Sequence, residues 1–107
     1  MIIYVDIDNT ICSTEEKEYA LAQPIPINIK KVNKLYDEGH TIIYWTARGT
    51  VSKKDFYMLT YVQLRKWDCK FHELKMGKPA YDLFIDDKNL NSILHWNEEN
   101  VNKILNK

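Results

Sequence analysis

Glycine and proline are scarce, three of each in 107 residues, which excludes a collagen-like or disordered chain. No stretch approaches the roughly 20 apolar residues that a membrane-spanning helix requires. The apolar start, Met1 to Val5, is broken by Asp6 and has no basic lead, so it does not read as a signal peptide. An excess of one charge is also missing. Fifteen basic residues balance fifteen acidic ones, which removes the electrostatic argument for a dedicated nucleic-acid binder. The two cysteines, Cys12 and Cys69, stand far apart with no Cys or His at zinc-ligand spacing. What remains is an ordinary globular composition, 45% hydrophobic and 28% charged. The length suits one domain and is too short for two independent cores. The expectation is a single soluble, cytoplasmic domain over residues 1–107.

Two continuous, β-branched runs, Ile2-Ile3-Tyr4-Val5 and Thr41-Ile42-Ile43-Tyr44-Trp45, suit strands buried on both faces of a parallel sheet. A third run, Tyr81 to Ile85, leads into Asp86-Asp87, and a weaker fourth lies around Cys69 to Leu74. Between them the spacing turns helical. Ile29, Val32, Leu35 and Tyr36 follow Asn28, read as an N-cap, and stop at Gly39. A second helix is predicted from Ser52, with Ser52 and Asp55 resembling a capping box and with Phe56, Leu59, Val62 and Trp67 toward the sheet. Asn97 to Asn106 predicts a third, with Glu98 and Glu99 favourably placed in its first turn. The alternation is the βαβ pattern of an open three-layer α/β fold. Residues 11–27 resist it, and read as a flap or hairpin ending in the extended Pro24-Ile25-Pro26.

In open α/β sheets ligands bind beyond the carboxyl ends of the strands. The residues at those ends are Asp6 to Thr10, then Thr46 to Gly49, then Asp86 to Lys88, with Lys78 in Gly77-Lys78-Pro79 just before the last run. Two carboxylates 4 Å apart repel by about 4 kcal/mol at an effective dielectric near 20. Four on one rim require either raised pKa values or a cation among them. Hard oxygen donors without His or thiolate point to Mg²⁺. A carboxylate is also a competent nucleophile toward phosphorus.

Asp6-Ile7-Asp8-Asn9-Thr10 resembles the DxDxT signature of the haloacid dehalogenase superfamily of phosphatases. Thr46 resembles that family's second motif, Lys78 its third and Asp86-Asp87 its fourth, in order and across essentially the whole chain. Trp45-Thr46-Ala47-Arg48-Gly49, Gly77-Lys78-Pro79 and Phe84-Ile85-Asp86-Asp87-Lys88 together are similar to small bacterial phosphatases of capsule and surface-polysaccharide biosynthesis. The resemblance implies a Rossmann-like, mostly parallel sheet with helices on both faces and no cap domain. It implies Asp6 as the nucleophile and Asp8 as the acid and base. Thr46, Ala47 and Lys78 would bind phosphate, and Asp6, Asp8, Asp86 and Asp87 would surround Mg²⁺. Arg48 is a candidate substrate contact, with a surface ion pair as the competing reading, and Lys75 competes with Lys78 for the phosphate. Thr46 has a plainer reading as the cap of the turn that follows it. Asn9 stands where the family often has Gly, and Asn tolerates the left-handed backbone such a turn needs.

The implied activity is a Mg²⁺-dependent phosphomonoesterase working through an aspartyl-phosphate, on a sugar phosphate or similar small metabolite. The alternatives are a nucleotide or nucleic-acid 3′-phosphatase, and a receiver-like or non-catalytic phosphate-binding module. Without a cap, the site either accepts exposed phosphorylated groups or is covered by a second subunit in a homo-oligomer.

Overall fold

β1 (Ile2–Val5) pairs in parallel with β4 (Thr41–Trp45), Ile2 opposite Thr41 and Val5 opposite Tyr44. β4 pairs in parallel with β5 (Glu73–Lys75), Trp45 opposite Lys75. The computed structural model describes residues 1–106 and is an α/β fold around this three-stranded parallel sheet, in the order β1-β4-β5. α1 (Pro26–Asp37) connects β1 to β4, and α2 (Tyr57–Lys66) connects β4 to β5. α3 (Glu98–Leu105) closes the described chain. A short antiparallel hairpin, β2 (Cys12–Ser13) and β3 (Gln23–Pro24), occupies the flap region. No helix among the described residues is long and apolar enough to cross a membrane.

Both crossovers step in the same direction across the sheet, and right-handed crossovers of that kind place their helices on one face. The core agrees. Val5, Ile42, Tyr44 and Leu74 share one buried cluster with Ile29 and Val32 of α1 and Leu64 of α2. On the opposite face Ile2 and Tyr4 are exposed. Among the described residues α1 and α2 share a face.

The run Tyr81–Ile85 is not a strand. Its residues are irregular and exposed, Ile85 at 86%. The reason lies in the connection. A parallel partner for β1 must begin at the opposite end of the sheet, which takes a crossover of about a dozen residues or more. Only residues 76–80 separate β5 from Tyr81. The weaker run supplies β5 instead, and the outer edge of β1 faces a cavity of about 1330 Å³.

Local signals shift the helix ends. α1 begins at Pro26, whose fixed φ suits the first helical turn, with Ile25 as N-cap. Asn28 does not cap it, and instead donates from Nδ2 to the Thr10 carbonyl at 2.9 Å. α2 starts at Tyr57, whose amide donates to Asp55 Oδ1. α3 is capped by the Asn97 side chain, which accepts from the Asn100 amide at 2.8 Å.

Tyr44 is fully buried and its hydroxyl has no hydrogen-bond partner among the described residues. Burial raises that hydroxyl above the ordinary tyrosine pKa. An unsatisfied buried hydroxyl costs about 1–3 kcal/mol. Tyr44→Phe removes it with little change of shape, so the variant should be more stable by about 1 kcal/mol in a denaturant titration.

Candidate functional site

β1 delivers Asp6 to the rim of the sheet, where the chain turns sharply. Asn9 takes a left-handed φ of 61°, and the Thr10 and Ile11 amides both donate to the Ile7 carbonyl. This turn sends the two carboxylates apart. Asp6 faces the cavity and is met by Lys78, Nζ to Oδ1 at 3.2 Å, and by the Thr10 hydroxyl at 3.3 Å from Oδ2. Asp8 lines the same cavity but gives its oxygens to the buried Arg48.

Lys78 is held by its backbone. Its amide donates to the Thr46 carbonyl at 3.0 Å, and its own carbonyl accepts from the Thr50 hydroxyl at 2.8 Å. Its ammonium lies near the faces of Trp45 and Tyr81. Lys75 goes elsewhere, to the Tyr4 hydroxyl at 3.2 Å, a contact that raises its pKa. Of the two lysines, Lys78 reaches Asp6.

Arg48 is not a surface group. Its side chain is 0% exposed. Nε donates to Asp8 Oδ2 at 3.0 Å and Nη2 to Asp8 Oδ1 at 2.8 Å, a bidentate fork. Nη1 donates to Thr60 Oγ1 at 3.1 Å and Gln63 Oε1 at 2.6 Å. The structure therefore places the Arg48 side chain inside the protein, against Asp8. Thr46 is buried too, and its hydroxyl accepts from the Arg48 amide at 3.1 Å, the capping arrangement of a tight turn. Ala47 is half-buried in the same turn. Gly49 completes it at φ +82°, where a Cβ would lie 2.1 Å from the Lys54 carbonyl oxygen.

Asp86 and Asp87 are exposed and line the same cavity as Asp6. They do not close on it. Among the described residues no three acidic, histidine or cysteine side chains gather closely enough to hold a metal ion. The expected strand would have carried the acidic pair to the rim, and its absence leaves them on the cavity wall.

The residues missed by the sequence reading are Thr14, Thr60 and Gln63. Thr14 Oγ1 donates to Asp8 Oδ1 at 2.5 Å. Thr60 and Gln63 form the inner face of α2 with Leu64, whereas Val62, expected inward, is exposed. A polar pair three residues apart on a helix between strands was the available signal.

Cys12 is buried under this network, and burial pushes its thiol up to about 11. Cys69 is likewise raised to about 12. Neither has the depressed pKa of a nucleophilic cysteine.

No protein-family model matches the chain, and no curated protein sequence matches it. The chain is similar to a crystal structure of an MCSG target from Vibrio cholerae, with a TM-score of 0.78 at 22% identity. The match covers 98% of this chain and 96% of that one. It shows a shared fold.

Asp8→Ala would leave a buried guanidinium without its counter-charge, at a cost of about 3–5 kcal/mol in chemical denaturation. Asp8→Asn, which keeps an acceptor oxygen, should cost less. A second expectation concerns pH. Unfolded thiols ionise near pH 8.5, so the folded chain retains protons that the unfolded chain sheds. This contribution is complete below that value and is lost as pH rises toward about 11. Denaturation midpoints should fall over this window, and fall less steeply in Cys12→Ala.

Proposed function

We propose that the chain is a phosphomonoesterase of the haloacid dehalogenase type, with a Rossmann-like core, acting on a small phosphorylated metabolite such as a sugar phosphate. The observation that carries this reading is the pairing of Asp6 with Lys78 on the open rim of the sheet, within a DxDxT sequence. A lone structural ion pair would not need the cavity beside it, nor the aromatic faces of Trp45 and Tyr81 that flank Lys78 and suit a ring-bearing leaving group.

In this reading an Asp6 carboxylate oxygen attacks the ester phosphorus, forming an acyl-phosphate bond as the phosphorus–oxygen bond to the leaving alcohol breaks. Lys78 balances the negative charge of the approaching phosphoryl group and of Asp6 itself. The leaving oxygen takes a proton from the carboxylic-acid form of Asp8, and Arg48 offsets the carboxylate charge this leaves on Asp8. Water then attacks the acyl-phosphate, giving its proton to Asp8 and releasing inorganic phosphate and the Asp6 carboxylate. Oδ2 of Asp8 is the atom suited to this exchange. Its partner is Arg48 Nε alone, whereas Oδ1 takes Thr14, Cys12 and Arg48. Mg²⁺, when bound, would neutralise phosphoryl charge, and the hard oxygens of Asp6, Asp86 and Asp87 on one cavity are the chemistry it favours.

The purified chain should hydrolyse p-nitrophenyl phosphate and sugar phosphates with Mg²⁺ present. Asp6→Asn should lower kcat by about a thousandfold or more with the fold retained by circular dichroism. Activity that survives excess chelator, or survives in Asp6→Asn, would overturn the reading. A screen that includes nucleotides and 3′-phosphorylated oligonucleotides settles the substrate class.

A further inference from the structure

The flap of residues 11–27 and the Asp8 carboxylate are joined through one side chain. Gln63, 8% exposed on α2, uses both ends of its amide. Its Oε1 accepts from Arg48 Nη1 at 2.6 Å, and its Nε2 donates to the Tyr19 carbonyl of the flap at 2.7 Å. Arg48 in turn holds both oxygens of Asp8. Tyr19 is engaged a second time, its ring 4.9 Å from the Arg48 guanidinium carbon and edge-on to Phe56 at the start of α2. The Tyr19 carbonyl also accepts from the Ala22 amide, so the same atom anchors the short 3₁₀ turn Tyr19–Leu21.

Polarity makes this chain of contacts directional. A guanidinium only donates, so it needs acceptors on every side. An amide can present oxygen to the guanidinium and nitrogen to a carbonyl. Neither a carboxylate nor an apolar residue can do both. A side chain that merely filled the volume at position 63 would leave Arg48 Nη1 with Thr60 alone and the Tyr19 carbonyl with the Ala22 amide alone.

From this geometry we infer that Gln63 is a positioning residue that couples the flap to Asp8, so that seating of Tyr19 on α2 and alignment of the Asp8 carboxylate occur together. The catalytic consequence rests on the function proposed above, while the coupling itself does not. With the flap seated, Arg48 is fixed on both sides and Asp8 presents Oδ2 in one orientation. With Tyr19 withdrawn, Gln63 Nε2 loses its acceptor, the amide is free to rotate, and Arg48 Nη1 keeps only Thr60 on α2. Binding that seats the flap thereby aligns the group that handles the proton.

The test uses Gln63→Glu, which keeps an acceptor for Arg48 but cannot donate to Tyr19, and Gln63→Met, which loses both contacts. Hydrogen exchange in the full chain should show the Leu21 and Ala22 amides exchanging about fivefold faster or more in Gln63→Glu. Asp8→Asn should accelerate the same amides, although Asp8 meets the flap at Cys12 and Thr14 and not at Leu21 or Ala22. The double variant should fall short of the product of the two effects. Unchanged exchange at Leu21 and Ala22 in Gln63→Glu, or in Asp8→Asn, would overturn the coupling whatever the activity. If Gln63→Met does not fold, Gln63→Glu decides alone. The kinetic arm compares an alkyl phosphate, whose leaving group needs a proton, with p-nitrophenyl phosphate, whose leaving group does not. Gln63→Glu should lower the alkyl-to-aryl ratio of kcat by about tenfold with KM little changed. An equal fall for both esters would show that Gln63 acts on folding alone and would overturn the positioning role. A wild-type chain that hydrolyses neither ester removes the proposed function and leaves the exchange measurement to judge the coupling.

Discussion

Burying a guanidinium is the most demanding thing this fold does. Arg48 cannot shed its charge, and an ion taken out of water without partners costs several kcal/mol. Everything around it answers that demand. Asp8 supplies the counter-charge, Thr60 and Gln63 give α2 a polar inner face, and Thr46 receives the amide of Arg48 itself. The turn at Asn9 and the turn at Gly49 bring two strand ends together so that this pairing can form. Once Asp8 is committed to Arg48, Asp6 is left facing the cavity, where Lys78 meets it. Two aspartates two residues apart thus share one cavity with different partners, Lys78 for Asp6 and the buried Arg48 for Asp8.

Sequence patterns located most of the elements. The runs at Ile2–Val5 and Thr41–Trp45 are strands because β-branched and aromatic residues pack on both sides of a sheet, and the turn residues Gly39 and Gly49 end what precedes them. α3 was legible to within a residue because Asn97 and the acidic pair after it are local signals. Tyr81–Ile85 misled for a different reason. Its composition is that of a strand, but a strand exists only where an edge and a connection of sufficient length allow it, and composition carries neither. The inner face of α2 misled because apolar periodicity assumes an apolar partner, and here the partner is charged.

The candidate site divides in the same way. Asp6 and Lys78 were legible because each sits in a short motif, and their contact follows from strand order. Arg48 was visible as a residue and misplaced as a surface group, since nothing local says that Asp8 will meet it. Thr14 and Gln63 carry no motif. They become functional candidates only through Asp8 and Arg48, which bring them within hydrogen-bond reach.

Helix α3 has a further consequence for the cavity. Its apolar residues Val101, Ile104 and Leu105 line that space, yet none of its residues is buried. What fastens this region to α1 is the exposed Lys34–Glu98 pair at 2.9 Å and the reach of Lys31 to the Trp96 carbonyl at 3.2 Å. An exposed pair contributes at most about 1 kcal/mol and weakens as counter-ions accumulate around it. The last helix is thus held largely from outside the core, with Trp96 just before it packed against the buried cluster. Added salt weakens one tie of that wall and leaves the packing of Trp96 and the Thr10–Ser92 contact in place.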